Sequence, residues 1–373
     1  MKTLIRTAAA RACLPALLLS AANAHAATPS STVQLYGLID VGVQTLTHGP
    51  EGRSKTGMSS GNMNGSRWGL RGTEDLGDGL KTVFALESGF DVGNGKTLQG
   101  GRLFGRQAYV GLADRRFGTL TLGRHNTLMI DWMSKFNPFE NATYGGKRID
   151  PAFSDRMDNA IKYTNKFGPV SVGAYYSFGW NNDQSWTDTN TGRMIGGGLR
   201  YQSGGWDAAV LYHTKRADAP KAPADSGNRE DRILAALAYD FDGVKVYGGY
   251  RWLEQKLTQR DYVSRLYWVG AAWQATPATR LSLAVYHMDG NTCDNMNGVS
   301  CPAVQGDLDD QKPTLLVLGS EYDLSKRTTL YALGSYALND NGSSVSVIGG
   351  KYGVNVEPGR NQLGVAVGLR HRF

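Results

Sequence analysis

Long apolar runs are missing from this chain. Hydrophobic residues make up 41% of its 373 positions. Past the N-terminal leader no stretch of about 18 apolar residues occurs, which excludes crossing a bilayer as helices. Cysteine is scarce: of three, Cys13 falls in the leader, leaving Cys293 and Cys301. The six histidines, His25, His48, His125, His213, His287 and His371, are scattered without metal-ligand spacing, so no metal and no cofactor is expected. Proline numbers only 12 and glycine follows no three-residue period, which excludes collagen and Pro-rich linkers. The formal net charge of +7 falls to +4 once Lys2, Arg6 and Arg11 leave with the leader. This modest excess is unclustered, unlike a nucleic-acid-binding face. Glycine, by contrast, occurs 48 times, nearly twice its usual share, alongside 18 Tyr and 8 Trp. That composition suits many strands joined by tight turns.

The leader itself has a recognisable plan. Lys2, Arg6 and Arg11 precede an apolar run from Ala12 to Ala22, and Ala22-Asn23-Ala24 and Ala24-His25-Ala26 each offer a small-residue cleavage site. Residues 1–26 therefore read as a secretory signal peptide, cut after Ala24 or Ala26, and residues 27–373 as one mature domain. Oxidising conditions after export favour a disulfide between Cys293 and Cys301, which bracket a polar loop.

The mature chain repeats one pattern, about ten alternating residues and then a connection. In the last segment Leu363, Val365, Val367, Leu369 and Phe373 share one face, opposed by Gly364, Ala366, Gly368, Arg370 and Arg372. Val170, Val172, Ala174, Tyr176 and Phe178 oppose Ser171, Gly173, Tyr175 and Ser177 in the same way, and Val244, Val246 and Tyr250 oppose Lys245, Tyr247 and Arg251. A soluble sandwich also alternates, but a dry core would not accept the unpaired Arg, Lys and Asp on the second face. Aromatics near segment ends (Tyr36, Trp68, Tyr239, Trp252, Trp273, Tyr322, Phe373) fit interfacial girdles. Connections fall into two classes, short ones such as Ser203-Gly204-Gly205 and long ones such as 48–65, 127–157 and 290–312. Short turns on one side and long loops on the other are the plan of an outer-membrane barrel.

Sixteen segments are expected: 32–47, 66–74, 80–91, 102–113, 119–126, 158–165, 170–179, 194–202, 206–216, 230–239, 244–257, 262–274, 279–289, 313–322, 328–339 and 361–373. The fold class is thus all-β, a sixteen-stranded antiparallel transmembrane β-barrel with short periplasmic turns and long extracellular loops. Sixteen strands enclose a lumen too wide for side chains to fill, and a polar lumen conducts solutes.

Fragments that mimic enzyme motifs fail on context. Gly93-Asn94-Gly95-Lys96-Thr97 would need glycine where Phe90 stands, and Gly57-Met58-Ser59-Ser60-Gly61 has no buried strand before it. The third long loop, 127–157, carries Trp132, Phe136, Pro138, Phe139 and Phe153. So apolar a loop is expected to fold inward, as a constriction, although an external lid is the alternative. Strand parity sets Arg67 and Arg71 toward the lumen opposite Trp68 and Leu70. It sets Arg106 inward opposite Gln107 and Tyr109, with Arg124 at the start of the loop. These arginines are expected to form a positive wall that favours anions, faced by Asp131 and Glu140 on the loop. Alternatively they pair locally with Glu74, Glu87 or Asp91. Thr119, Thr121 and Gly123 are assigned outward, as a contact to a neighbouring barrel.

Tyr36-Gly37-Leu38-Ile39-Asp40, Ser66-Arg67-Trp68-Gly69-Leu70-Arg71-Gly72-Thr73-Glu74-Asp75-Leu76-Gly77, Leu103 to Leu112, Leu122-Gly123-Arg124 and the ending Gly368 to Phe373 together resemble the general porins of Gram-negative bacteria, in their neisserial-type branch. The resemblance implies a homotrimer in the outer membrane, among lipid and lipopolysaccharide, passing ions and small hydrophilic solutes by diffusion. It implies an inward third loop facing a basic wall of Arg67, Arg106 and Arg124 with Arg71 nearby, and a terminal Phe373 read by the barrel-assembly machinery. The loop departs from the enteric pattern, having only Asn137-Pro138-Phe139-Glu140. Its four acids and four bases balance, so a weak anion preference is expected. Two other readings stay open: a substrate-specific channel for an organic acid or sugar, and an outer-membrane barrel enzyme, which would need a Ser/His/acid set at the lipid edge.

Overall fold

The computed structural model describes residues 31–181, 191–217, 227–257, 261–290, 311–340, 342–348 and 356–373. The leader and the cysteine pair Cys293 and Cys301 lie outside the described residues. The first strands are β1 (Thr32–Leu46), β2 (Lys55–Ser60), β3 (Arg67–Gly77), β4 (Leu80–Gly89), β5 (Gln107–Asp114) and β6 (Gly118–Asn126). A long loop holding one short helix, α1 (Leu128–Asp131), leads to β7 (Arg156–Phe167), β8 (Val170–Ser177), β9 (Met194–Ser203), β10 (Trp206–Arg216), β11 (Arg229–Asp240) and β12 (Val244–Lys256). The barrel is completed by β13 (Tyr262–Gln274), β14 (Thr279–Asp289), β15 (Thr314–Asp323), β16 (Thr328–Leu338) and β17 (Gln362–Arg372).

From β3 to β17 each strand pairs antiparallel with the next, β1 pairs with both β2 and β3, and β1 returns to β17 over Leu38–Leu46 to close the cylinder. Closure pairs the wall around its whole circumference, as lipid requires. The seventeen strand segments fill sixteen positions. β1 pairs with β3 through Thr32–Leu38 and with β2 through Val41–Leu46, so β2 and β3 share one place. The first long loop is therefore partly strand, and the bend between its two pieces is held by Asp40. Its carboxylate accepts from the backbone N–H groups of Asn62, Met63 and Asn64 at 3.2, 2.9 and 2.7 Å and from the Tyr331 hydroxyl at 2.7 Å.

Turn chemistry explains the short side. Gly204 and Gly205 both have positive φ, 56° and 87°, and join Ser203 to its partner Trp206, the left-handed pair a two-residue hairpin demands. The alternation holds around the wall. On β17 Val367 is 54% exposed while Ala366 is 0%; the first meets lipid, the second the interior. Near the short turns Trp206, Tyr239 and Phe241 pack ring on ring at 4.4 and 4.6 Å and belong to a girdle with exposed Phe117, Phe167, Trp273 and Tyr322.

Three sequence assignments are corrected. Tyr36 is not a girdle residue: it pairs with Gly69 on the lumen face and donates to Glu87 at 3.1 Å. β5 begins at Gln107, not 102, because Gly100 and Gly101 hold the chain in left-handed turns. Gln107 and Tyr109 then pair with Glu87 and Ala85 on the inner face, and Tyr109 stacks on buried His125 at 4.6 Å. On β6 it is Leu120 and Leu122, 46% and 51% exposed, that face outward, whereas Thr121 is buried. The supposed polar contact of Thr119, Thr121 and Gly123 with another barrel is therefore withdrawn.

Candidate functional site

The loop after β6 folds into the cylinder. Leu128, Met129, Trp132, Met133, Phe136, Phe139, Tyr144, Ile149 and Phe153 are all buried, and their partners lie on the inner wall. The Trp268 indole donates to the Phe136 carbonyl at 2.8 Å, and the Tyr286 hydroxyl to Asn137 at 3.1 Å. The Tyr144 hydroxyl donates to Gln44 at 3.1 Å, and the Arg148 guanidinium to the Ser346 carbonyl at 2.6 Å. Glycine on the wall makes room: a Cβ at Gly173 would sit 3.0 Å from Leu128, and one at Gly319 2.6 Å from the Phe139 ring. The loop thus crosses from β8 to β14 and on to β1.

Charge fastens it along one flank. Asp150, wholly buried, binds Arg232 at 3.2 Å and Arg251 at 2.8 Å, and Lys215 binds Asp155 at 3.2 Å and Glu230 at 3.5 Å. Burial works against ionisation of Asp150, but Arg232 and Arg251 outweigh it and hold its carboxyl well below the ordinary range. None of these wall partners was anticipated. Inward parity on β10, β11 and β12 was the available signal, but parity does not say which depth a loop reaches.

The expected basic wall is divided. Arg67 and Arg106 come together on Glu87, at 3.4 and 2.6 Å, the local pairing held as an alternative. Arg106 reaches the lumen from the turn before β5 rather than by strand parity. Arg124 pairs with Ala108 in the β5–β6 register, beside a bulge between Gly123 and His125. Its guanidinium binds the Gly105 carbonyl and Asp158, which Arg102 also binds at 2.9 Å. Arg71 lies farther toward the short turns, over the Tyr36 ring at 4.8 Å and donating to Gln34 at 3.0 Å.

The loop acids are engaged elsewhere. Asp131 binds Lys162 and accepts from Asn126, while Glu140 pairs with Lys135 at 2.9 Å. Two bases from the loop region stand nearer the wall: Lys147 lies within electrostatic reach of Arg106 and Arg156, and Arg156 within reach of Arg106, Arg124 and Arg67. Burial and then Arg106 and Arg156, opposed by Asp40, lower the Lys147 ammonium to about 8. What the arrangement offers is a field, not a nucleophile. Among the described residues no group of three His, Cys, Asp or Glu side chains could hold a metal.

The model of the Gram-negative porin family matches residues 8–342 of this chain. An outer membrane porin of Bordetella pertussis is 34% identical over 96% of this chain and 99% of its own length. Outer membrane porin protein 32 of Delftia acidovorans is 30% identical over 94% and 97%. Among solved structures, an anion-selective porin from Comamonas acidovorans superposes with a TM-score of 0.77 at 28% identity, covering 92% of this chain and all of that one.

Proposed function

The chain belongs to the Gram-negative porin family, and from that premise we propose that its outer-membrane diffusion channel prefers anions, with the gap between loop 127–157 and the Arg67–Arg106 wall as the selecting element. One observation carries the preference: Arg67 and Arg106 share Glu87, Arg156 lies within electrostatic reach of all three, and Lys147 lies within reach of Arg106, Arg156 and Asp40, so that four bases meet two carboxylates. Excess positive charge in a narrow wet passage raises the local anion concentration. The anion-selective neighbour at 28% identity supports the same sign.

Elsewhere on the lumen wall the bases alternate with acids, as in Arg200 with Asp207 at 2.6 Å and Arg370 with Glu321 at 2.8 Å. Such interruption favours a general channel over one with a continuous basic track for a single organic acid. Asp131 and Glu140, bound to Lys162 and Lys135, oppose the wall only weakly in this reading. The working unit is a homotrimer seated in lipid and lipopolysaccharide, with selection by charge and bore and no catalytic step, and Phe373 is the mark by which the assembly machinery accepts the strand.

Reversal potential in a KCl gradient across a planar bilayer tests the proposal. The expected sign is that of chloride preference, reduced in Arg67→Ala/Arg106→Ala; cation preference in the unaltered channel would overturn it.

A further inference from the structure

Glu87 stands where two arginines compete for it. It lies opposite Gly69 in the β3–β4 register, and on β3 Arg67 and Arg71 flank Gly69 two positions to either side. All three share the lumen face, so both arginines are diagonal neighbours of the carboxylate, within reach of long side chains. Only one of them is bound. Arg67 lies 3.4 Å from Glu87, which also holds Arg106 at 2.6 Å. Arg71 is exposed, and among the described residues no carboxylate lies within ion-pair distance of it; its partners are Gln34 and the Tyr36 ring.

Tyr36 makes that division. Tyr36, Gly69 and Glu87 form one row across β1, β3 and β4. The ring lies down over Gly69, where a Cβ would sit 3.0 Å from both its Cζ and its hydroxyl oxygen. Lying so, the hydroxyl crosses a whole strand and donates to Glu87 Oε2 at 3.1 Å, the same oxygen that Arg67 approaches. The Arg71 guanidinium sits over the ring at 4.8 Å, with its Nε tied to Gln34 at 3.0 Å. Donation to a carboxylate leaves the ring richer in electrons, which strengthens its hold on the guanidinium. One side chain therefore turns Glu87 toward Arg67 and Arg106 while it seats Arg71 apart from them.

On the premise that the channel prefers anions, we propose that Tyr36 is a positioning residue for selectivity: it keeps Arg71 from Glu87, so that the guanidinium presents an unneutralised charge to passing anions. Tyr36 carries no charge of its own and acts only through its two neighbours. Without the ring, Arg71 loses its seat and Glu87 a donor, and the two diagonal neighbours pair. The wall then gives up one unneutralised charge although its bases and acids are the same in number.

Reversal potentials in a KCl gradient are measured for Tyr36→Leu and Tyr36→Phe, each alone and combined with Glu87→Gln, and for Glu87→Gln by itself. Tyr36→Leu lowers the chloride-to-potassium permeability ratio about two- to fivefold, the worth of one charge a few ångströms away in screened water. Tyr36→Phe, which keeps the ring without the hydroxyl, lowers it less. In the Glu87→Gln background Tyr36→Leu changes the ratio little, because no carboxylate remains there for Arg71 to pair with. An equal or larger fall in that background, or no fall with Glu87 present, would overturn the assignment. Migration in unheated gels shows that each variant barrel is folded; where Tyr36→Leu does not fold, the same comparison with Tyr36→Phe decides. Cation preference in the unaltered channel would defeat the anion reading alone, since the dependence of the Tyr36 effect on Glu87 compares variants with one another and holds for either sign.

Discussion

Lys147 stands within electrostatic reach of Arg106 and Arg156. Its ammonium loses its proton at about pH 8 because burial and the neighbouring Arg106 and Arg156 penalise the charged form more than Asp40 rewards it. Below that pH it would add a positive charge to the proposed constriction, and above it that charge would be gone. Anion preference should therefore fall between pH 7 and pH 9, and Lys147→Met should show the lower preference throughout with the step removed. Reversal potentials at the two pH values check this; a flat profile in the unaltered channel would remove Lys147 from the selecting set. Glu87 works in the opposite direction. Glu87→Gln frees Arg67 and Arg106 from their shared carboxylate, so chloride preference should rise, most visibly at low salt where screening is weakest.

At the scale of the element, the inward loop is seated by apolar packing and fastened by a buried charge cluster. Asp150→Ala would leave Arg232 and Arg251, nearly or wholly buried, facing each other without their common partner, a loss of about 3–5 kcal/mol. That energy holds the loop rather than the wall, whose strands keep their own hydrogen-bond ladder. The expected outcome is a barrel that still migrates as folded in unheated gels but whose current becomes noisy and loop segment protease-sensitive. Quiet channels in this variant would show that packing alone suffices. Since the Asp150 carboxyl is held below the ordinary carboxylate range, its contribution is complete above that range and is lost only as pH falls through the lowered value.

For the whole molecule the seam is the point of closure. Gly37 and Phe373 exchange backbone hydrogen bonds at 3.2 and 3.1 Å, and a Cβ at Gly37 would strike the Phe373 ring at 2.4 Å. Deleting Phe373 removes two bonds from a seam that retains Leu38–Leu46 against β17. The refolded barrel should therefore melt only slightly lower, while the amount reaching the outer membrane drops severalfold, measured by blotting membrane fractions. Equal membrane levels would leave Phe373 a seam residue with no part in assembly.

Much of this architecture is written locally. A period of two places Val367 and Ala366 on opposite faces whatever the rest of the chain does, and Gly204-Gly205 specifies its hairpin from two residues. Sixteen strand positions, lipid-facing aliphatics and an apolar third loop are legible for that reason. Parity misled at the start of β5, where the glycine turn delays the strand to Gln107, and on β6, where Leu120 and Leu122 rather than Thr119, Thr121 and Gly123 face outward; the bulge between Gly123 and His125 then interrupts the pairing of Arg124 with β7. Nothing local announces that Arg106 shares Glu87 with Arg67, or that Asp150 meets Arg232, 82 positions on. Such pairings depend on how deep the loop settles and which strand depths coincide, which only closure of the barrel and packing of the loop against its inner wall can set.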